Sequence, residues 1–271
     1  MHAVRCSAEG ERVIAALQLL TASDPAPVET VNPEAAAPFF LTCEHAGNLL
    51  PLALGSLGLS EVDRRRHIAW DIGAEGVARR LASELDAALV LQRYSRLVVD
   101  CNRSLANPTL IAEVSEHTEI PGNQAISGDE RAARIAEIYR PFHDRVTQLL
   151  DARDRTGRET VLVAVHSFTP VFKGISRPWQ VGVMFHRQPA FARAVIARIE
   201  REKDVALGIN EPYALTPGTD FTALYHGEER GILHTEIEIR QDLIGTPADQ
   251  ENWAGRIAGW LSDALTVVAR R

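Results

Sequence analysis

Two apolar runs that each stop at a histidine constrain this chain most. Phe39–Phe40–Leu41–Thr42–Cys43 ends in Glu44–His45–Ala46–Gly47–Asn48, and TVLVAV over 160–165 ends in His166–Ser167. Short apolar runs bounded by polar residues fit buried strands. In open α/β sheets, ligands bind at the carboxyl ends of such strands. Two imidazoles at two strand tips therefore mark one sheet edge as a place for chemistry.

Helical periodicity fills the intervals. Ser60 and Asp63 have capping spacing ahead of one helix over about 61–86, with Ala69, Ile72, Gly73, Gly76, Val77, Leu81 and Leu85 along one side. Ser127 and Glu130 open a second helix, which reaches Leu149 and is kinked or split by Pro141. A third covers about 189–203. A fourth opens at Thr246–Pro247 and presents Trp253, Ile257, Trp260, Leu261 and Leu265. Further strands are expected at 88–91, 97–99, 181–185 and 233–239. In the last of these, Ile237 and Ile239 face the core while Glu236 and Glu238 share the other face. Residues 22–38, 105–126 and 208–230 read as irregular, and ERVIAALQLL over 11–20 reads as a short helix. Strands alternating with helices predict an α/β fold with a mostly parallel or mixed central sheet flanked by helices. The expected division is an N-terminal helix and irregular arm over 1–37, then one α/β domain over 38–271.

Composition narrows the function. A net charge of -7 over 271 residues argues against a nucleic-acid surface. No run approaches the roughly 18 apolar residues that a membrane span requires. Cys6, Cys43 and Cys101 match no disulfide or zinc-knuckle spacing, and the odd count suits a reducing, cytoplasmic setting. Neither G-x-S-x-G nor a phosphate-binding glycine loop occurs. Nothing in the sequence sets an oligomeric state.

If the two strand tips are neighbours, His45 and His166 supply two imidazoles to one cation. A carboxylate completes a recurring catalytic zinc set that leaves a place for water. Asp71 is the preferred third ligand, with Glu44 next. Asp71 lies on the helix over about 61–86, and His67, one turn back, shares its face through i, i+4 spacing. Glu238, held on a strand, is the natural general base, with Glu236 as the fallback. Arg96 is placed to polarise a carbonyl and hold an oxyanion. Arg103, helped by Asn102, offers a planar fork for a substrate carboxylate. Asp100 is positioned to orient one of these arginines. Arg177 and Arg240 are candidates for a second carboxylate. Each of these residues also has a bland reading as a capped, ion-paired or solvated group.

The blocks EHAGN (44–48), YSRLVVDCNR (94–103), RPFH (140–143), AVHSF (164–168) and EIEIRQD (236–242) together resemble the N-formylglutamate amidohydrolase family. The resemblance spans roughly residues 38–243. It implies an α/β fold related to zinc carboxypeptidases and aspartoacylase, a zinc-exopeptidase-like (phosphorylase/hydrolase-like) architecture. It also implies hydrolysis of a small anionic N-acyl amino acid, with N-formylglutamate giving formate and glutamate. By matching residue, His45 and His166 resemble the metal histidines and Glu238 the catalytic glutamate. Asn102 and Arg103 resemble the carboxylate-holding pair, and Arg96 the carbonyl-polarising arginine. Three positions depart from the pattern: Asn48 where the wider group has a glutamate ligand, Glu44 where the family more often has proline, and DCNR for DLNR. The alternatives are a carboxypeptidase-like enzyme or another N-acyl amino acid deacylase, and a binding protein that keeps the fold without catalysis.

Overall fold

The computed structural model describes residues 17–270. Most of the expected N-terminal helix, and Cys6, lie outside the described residues. The fold is α/β. Seven strands form one mixed sheet: β1 (Val28–Val31), β2 (Phe39–Cys43), β3 (Ala88–Gln92), β4 (Val161–Phe168), β5 (Val181–Met184), β6 (Leu207–Ile209) and β7 (Leu233–Arg240). Their spatial order is β1-β3-β2-β4-β7-β5-β6. The four central strands β3, β2, β4 and β7 run parallel. β1 pairs antiparallel with β3, and β5 pairs antiparallel with β7.

The two apolar runs become the two middle strands because they are buried on both faces. Phe39, Leu41 and Cys43 pack on one side with Val161, Val163 and Val165. Helices α2 (Ala74–Glu84), α5 (Ala190–Ile199) and α6 (Pro247–Val268) cover that side. Phe40 and Leu162 face the other side, where Phe142, Val146 and Leu149 of α4 (Arg140–Arg155) meet them. Thr246 caps α6 through a capping box with Asp249, as Thr246–Pro247 predicts.

Several expected elements differ. The stretch read as irregular over 22–38 contains β1, whose Val28 and Val31 pack against the cores. Leu97–Val99 is not a strand. The Leu97 N–H donates to Ser95 Oγ (3.2 Å) and the Val98 N–H to the Ser95 carbonyl (2.9 Å). These bonds coil the segment while its apolar side chains stay buried. The single helix expected over 61–86 is two, α1 (Glu61–Arg64) and α2, separated by irregular chain. Gly73 caps α2 in the left-handed region (φ 83°), where a Cβ would also meet the Ile244 carbonyl at 2.5 Å. The segment over 105–126 carries a small hairpin (Val114–Ser115 with Thr118–Glu119), and 208–230 carries a π-helical segment, Ala223–Glu228. Ahead of Pro141 the helix is interrupted as expected. α3 (Gly128–Arg134) passes into a π-helical segment, Ile135–Tyr139, before α4. A proline lacks the N–H that a regular helix requires, and a π turn accommodates it.

Candidate metal centre

β2 and β4 end side by side, and this brings the two histidines together. Gly47 fixes the turn beyond β2. Its N–H donates to the Gln92 carbonyl (3.1 Å), and a Cβ there would lie 2.0 Å from the Arg93 carbonyl oxygen. The chain therefore lies flat against the end of β3 and His45 turns inward. The His45 and His166 ring centroids are 5.0 Å apart. Asp71 sits in the irregular chain ahead of α2, where its N–H donates to the His45 carbonyl (3.0 Å).

Asp71 Oδ2 lies 2.8 Å from His166 Nδ1 and 3.3 Å from His45 Nδ1. One ligand atom from each of the three residues lies within 4.8 Å of the others, and all three residues are buried. The far nitrogen of each ring faces a further carboxylate. His45 Nε2 is 2.7 Å from Asp100 Oδ1. His166 Nε2 is 2.9 Å from Glu44 Oε2, close but poorly aligned for a hydrogen bond. Carboxylates behind imidazoles orient ring nitrogens toward a metal and raise their basicity. Glu44 therefore stands behind His166 rather than beside Asp71 as an alternative ligand. It follows Thr42 on the same side of β2, and the β2–β4 register pairs Thr42 with Ala164, so position 44 falls opposite His166.

His67 does not share a helix face with Asp71, because the helix is broken between α1 and α2. It stands at the cavity rim, 3.5 Å from Glu116. Asn48 donates to the Arg64 carbonyl, outside the triad.

The triad forms the floor of a cavity of about 290 Å³, which Arg96, Asn102, Arg103, Tyr213, Asp220, Glu236 and Glu238 also line. Glu238 pairs with His166 in the β4–β7 register. Glu236 Oε2 is 3.8 Å from His166 Nε2. Burial pushes the Glu238 carboxyl up to about 8, against the pull of His166. Burial also raises Glu236, with Asp220 adding to the effect. Burial would raise Glu44 too, but the adjacent His166 brings it down to about 2. For Asp100, burial is outweighed by Arg96 and His45, which hold it well below the usual carboxylate range. Burial works against a proton on His166, yet Glu236, Asp71 and Glu44 together raise it well above the usual range.

Glu44, Asp71, Asp100, Asp220, Glu236 and Glu238 are all buried around this floor. Six carboxyl groups crowded into a low-dielectric site would be most favourably accommodated around a cation. Two imidazole nitrogens and one carboxylate oxygen form a donor set suited to zinc.

The remaining site candidates separate. Arg96 lines the cavity and is clamped to Asp100 Oδ2 by Nε (3.1 Å) and Nη2 (2.6 Å). The carbonyl oxygen of Asn102's amide accepts the N–H groups of Phe221 and Thr222, and its Nδ2 donates to Asp220 (3.2 Å), leaving one N–H. Arg103 is half-buried on the wall and, among the described residues, has no carboxylate within 4.0 Å. Arg177 does not line the cavity. It stacks behind the wall between Phe172 (4.6 Å) and Tyr213 (4.7 Å) and donates to the Tyr213 hydroxyl. Arg240 is turned away to Asp242 and the carbonyls of Pro178 and Trp179. The sequence reading missed Asp220 and Tyr213, which sit in a stretch with no periodicity or motif. It placed Asp100 beside an arginine but did not foresee its contact with His45.

A model of the N-formylglutamate amidohydrolase family matches residues 37–245. The solved structure of the gene product Atu2144 from Agrobacterium tumefaciens superposes with a TM-score of 0.90 at 37% identity, covering 93% of this chain and 100% of that one. The N-formylglutamate amidohydrolase from Ralstonia eutropha JMP134 shares the fold, with a TM-score of 0.62 at 20% identity over 88% of this chain and 99% of that one. No match among curated proteins was found. The family model covers most of the chain and contains every member of the triad, so this chain belongs to the N-formylglutamate amidohydrolase family.

Proposed function

We propose that this chain is a zinc-dependent amidohydrolase that converts N-formyl-L-glutamate and water to formate and L-glutamate. The observation that carries the reading is the convergence of His45 Nδ1 and His166 Nδ1 on Asp71 Oδ2, with Glu238 registered beside His166 in the same cavity. Zinc held by His45, Asp71 and His166 supplies a water of lowered pKa and a Lewis acid for the formyl oxygen.

Glu238 takes a proton from the attacking water and returns it to the leaving nitrogen as the C–N bond breaks. Burial raises its proton affinity, which suits a group that first takes a proton and then returns it. Arg96, fixed by Asp100, faces the oxygen on which negative charge develops. Arg103 and the remaining Asn102 N–H hold the α-carboxylate.

A second reading has its own support. Among the described residues, Arg103 is the arginine on the cavity wall that no carboxylate engages, since Arg177 and Arg240 lie off the wall. One such cation suits a single carboxylate, as in a broader N-formyl or N-acyl amino acid deacylase. Turnover of N-formyl-L-glutamate, N-formyl-L-glutamine, N-acetyl-L-glutamate and dipeptides by the zinc-loaded protein separates the two. The proposal expects kcat/KM for N-formyl-L-glutamate to exceed that for the glutamine analogue by about tenfold, the worth of one charged contact. Equal values favour the broader deacylase. Absence of turnover of every N-formyl amino acid, with zinc bound, contradicts both.

A further inference from the structure

His143 of the RPFH block and Tyr139 ahead of it take no part in the chemistry above, yet their side chains end on the segment that carries Asp100, Asn102 and Arg103. His143 Nε2 is 2.9 Å from the Cys101 carbonyl oxygen, and His143 Nδ1 is 3.0 Å from His226 Nε2. Both rings are buried. A carbonyl only accepts, so His143 Nε2 carries a hydrogen. Burial holds His143 neutral, down to about 4, and its Nδ1 is therefore bare and accepts from His226 Nε2–H. Burial likewise brings His226 down to about 3, and its Nδ1 is left buried without a partner. The two ring centroids are 5.3 Å apart with their planes within 17°, as an edge-to-edge N–H···N contact requires, and the Tyr139 and Phe221 rings lie 4.3 Å and 5.0 Å from His143. The Tyr139 hydroxyl donates to the Arg103 carbonyl at 2.9 Å.

An orphaned buried nitrogen is unfavourable, and apolar side chains would fill the same space without it. What the pair supplies is a directed N–H. Tyr139 ends one π-helical segment and His226 lies in the other, and such segments recur at functional sites. The segment they touch is sensitive to small movements. Asp100 Oδ1 meets both His45 Nε2 and the Asn102 N–H, while Oδ2 clamps Arg96.

We propose that Tyr139, His143 and His226 are positioning residues, a buried brace that pins the Cys101 and Arg103 carbonyls so that Asp100 faces His45 and Arg103 faces the cavity. Only the kinetic arm of its test rests on the proposed substrate reading.

The test uses the full chain loaded with zinc. His143→Leu removes the donor to Cys101, His143→Gln keeps an N–H within reach of it, and Tyr139→Phe removes the hydroxyl alone. Backbone hydrogen exchange over residues 100–104 is read alongside kcat and KM for N-formyl-L-glutamate. The brace predicts that Asn102 and Arg103 amides exchange about tenfold faster in His143→Leu and Tyr139→Phe, with recovery in His143→Gln. It also predicts that KM rises about tenfold in Tyr139→Phe while kcat changes by less than about threefold. Unchanged exchange in both variants overturns the proposal, as does a His143→Gln variant no better protected than His143→Leu. If His143→Leu does not fold, Tyr139→Phe against the wild type decides. Faster exchange with an unchanged KM leaves the brace standing and rejects Arg103 as the carboxylate clamp.

Discussion

Glu238 stands opposite His166 because β4 and β7 run parallel in that register, and its place on a central strand holds it, largely buried, at the cavity. A general base typically contributes two to four orders of magnitude in rate, so Glu238→Gln should lower kcat by at least about a hundredfold. Steady-state kinetics with metal analysis checks this, and normal turnover with zinc bound removes Glu238 from the mechanism. Glu44 stands behind His166, 2.9 Å from its Nε2. Glu44→Gln should weaken zinc binding by about 10- to 100-fold, read by competition with a chromogenic chelator. An unchanged affinity shows that Glu44 does not support the ring. At this scale the sequence was most legible where a residue type and a strand end coincide. The strand-end places of His45 and His166 and the shared face of Glu236 and Glu238 were readable from apolar runs and alternation. The role of Glu44 was partly readable from parity, which turned it away from His45 without showing what it would meet. Arg177 and Arg240 were misplaced because the final direction of a long side chain depends on aromatic and carbonyl neighbours far away in sequence.

Elements differ in how far local pattern determines them. α6 follows its capping box and apolar side from Thr246 onward, and β7 follows its alternation. The break between α1 and α2 was hidden because small and apolar residues kept a helical spacing through 69–73, whereas Gly73 and the contact of Asp71 with His45 belong to tertiary structure. β1 was hidden for a related reason: an edge strand of four half-buried residues has little pattern of its own. The contact between α4 and the π-helical segment at 223–228 carries a pH dependence. His143 and His226 are held neutral by burial, with pKa values below the 6.5 of an unfolded histidine. Their share of stability is fully present above about pH 6.5 and is lost as the pH falls toward 4 and 3. At pH 5.5 the loss is about 1.4 kcal/mol for each imidazole. Urea unfolding of metal-free protein at pH 7.5 and 5.5 should show a smaller difference for His143→Phe than for the wild type. Equal differences would contradict the assignment of His143 as buried and neutral.

On the scale of the whole molecule, a sheet with its middle strands buried on both faces leaves one open edge, and the buried carboxylates gather there. The fold class was legible because alternating strands and helices permit few layouts, and the order β3-β2-β4-β7 then places both histidine-bearing strand ends together. Among the described residues, no helix is long and apolar enough to cross a membrane. Zinc binding should stabilise the whole domain, because the unfolded chain has no cradle for the ion. Free zinc at a hundred times its dissociation constant adds about 2.7 kcal/mol. A thermal melt that rises with zinc and falls with chelator checks this, and a melt indifferent to both contradicts it.

The most direct test is X-ray diffraction at the zinc absorption edge from crystals of the zinc-loaded protein. The account predicts one anomalous peak bonded at about 2.0–2.2 Å to His45 Nδ1, His166 Nδ1 and an Asp71 oxygen. A cavity without a peak, or a peak whose ligands exclude either histidine, would contradict it.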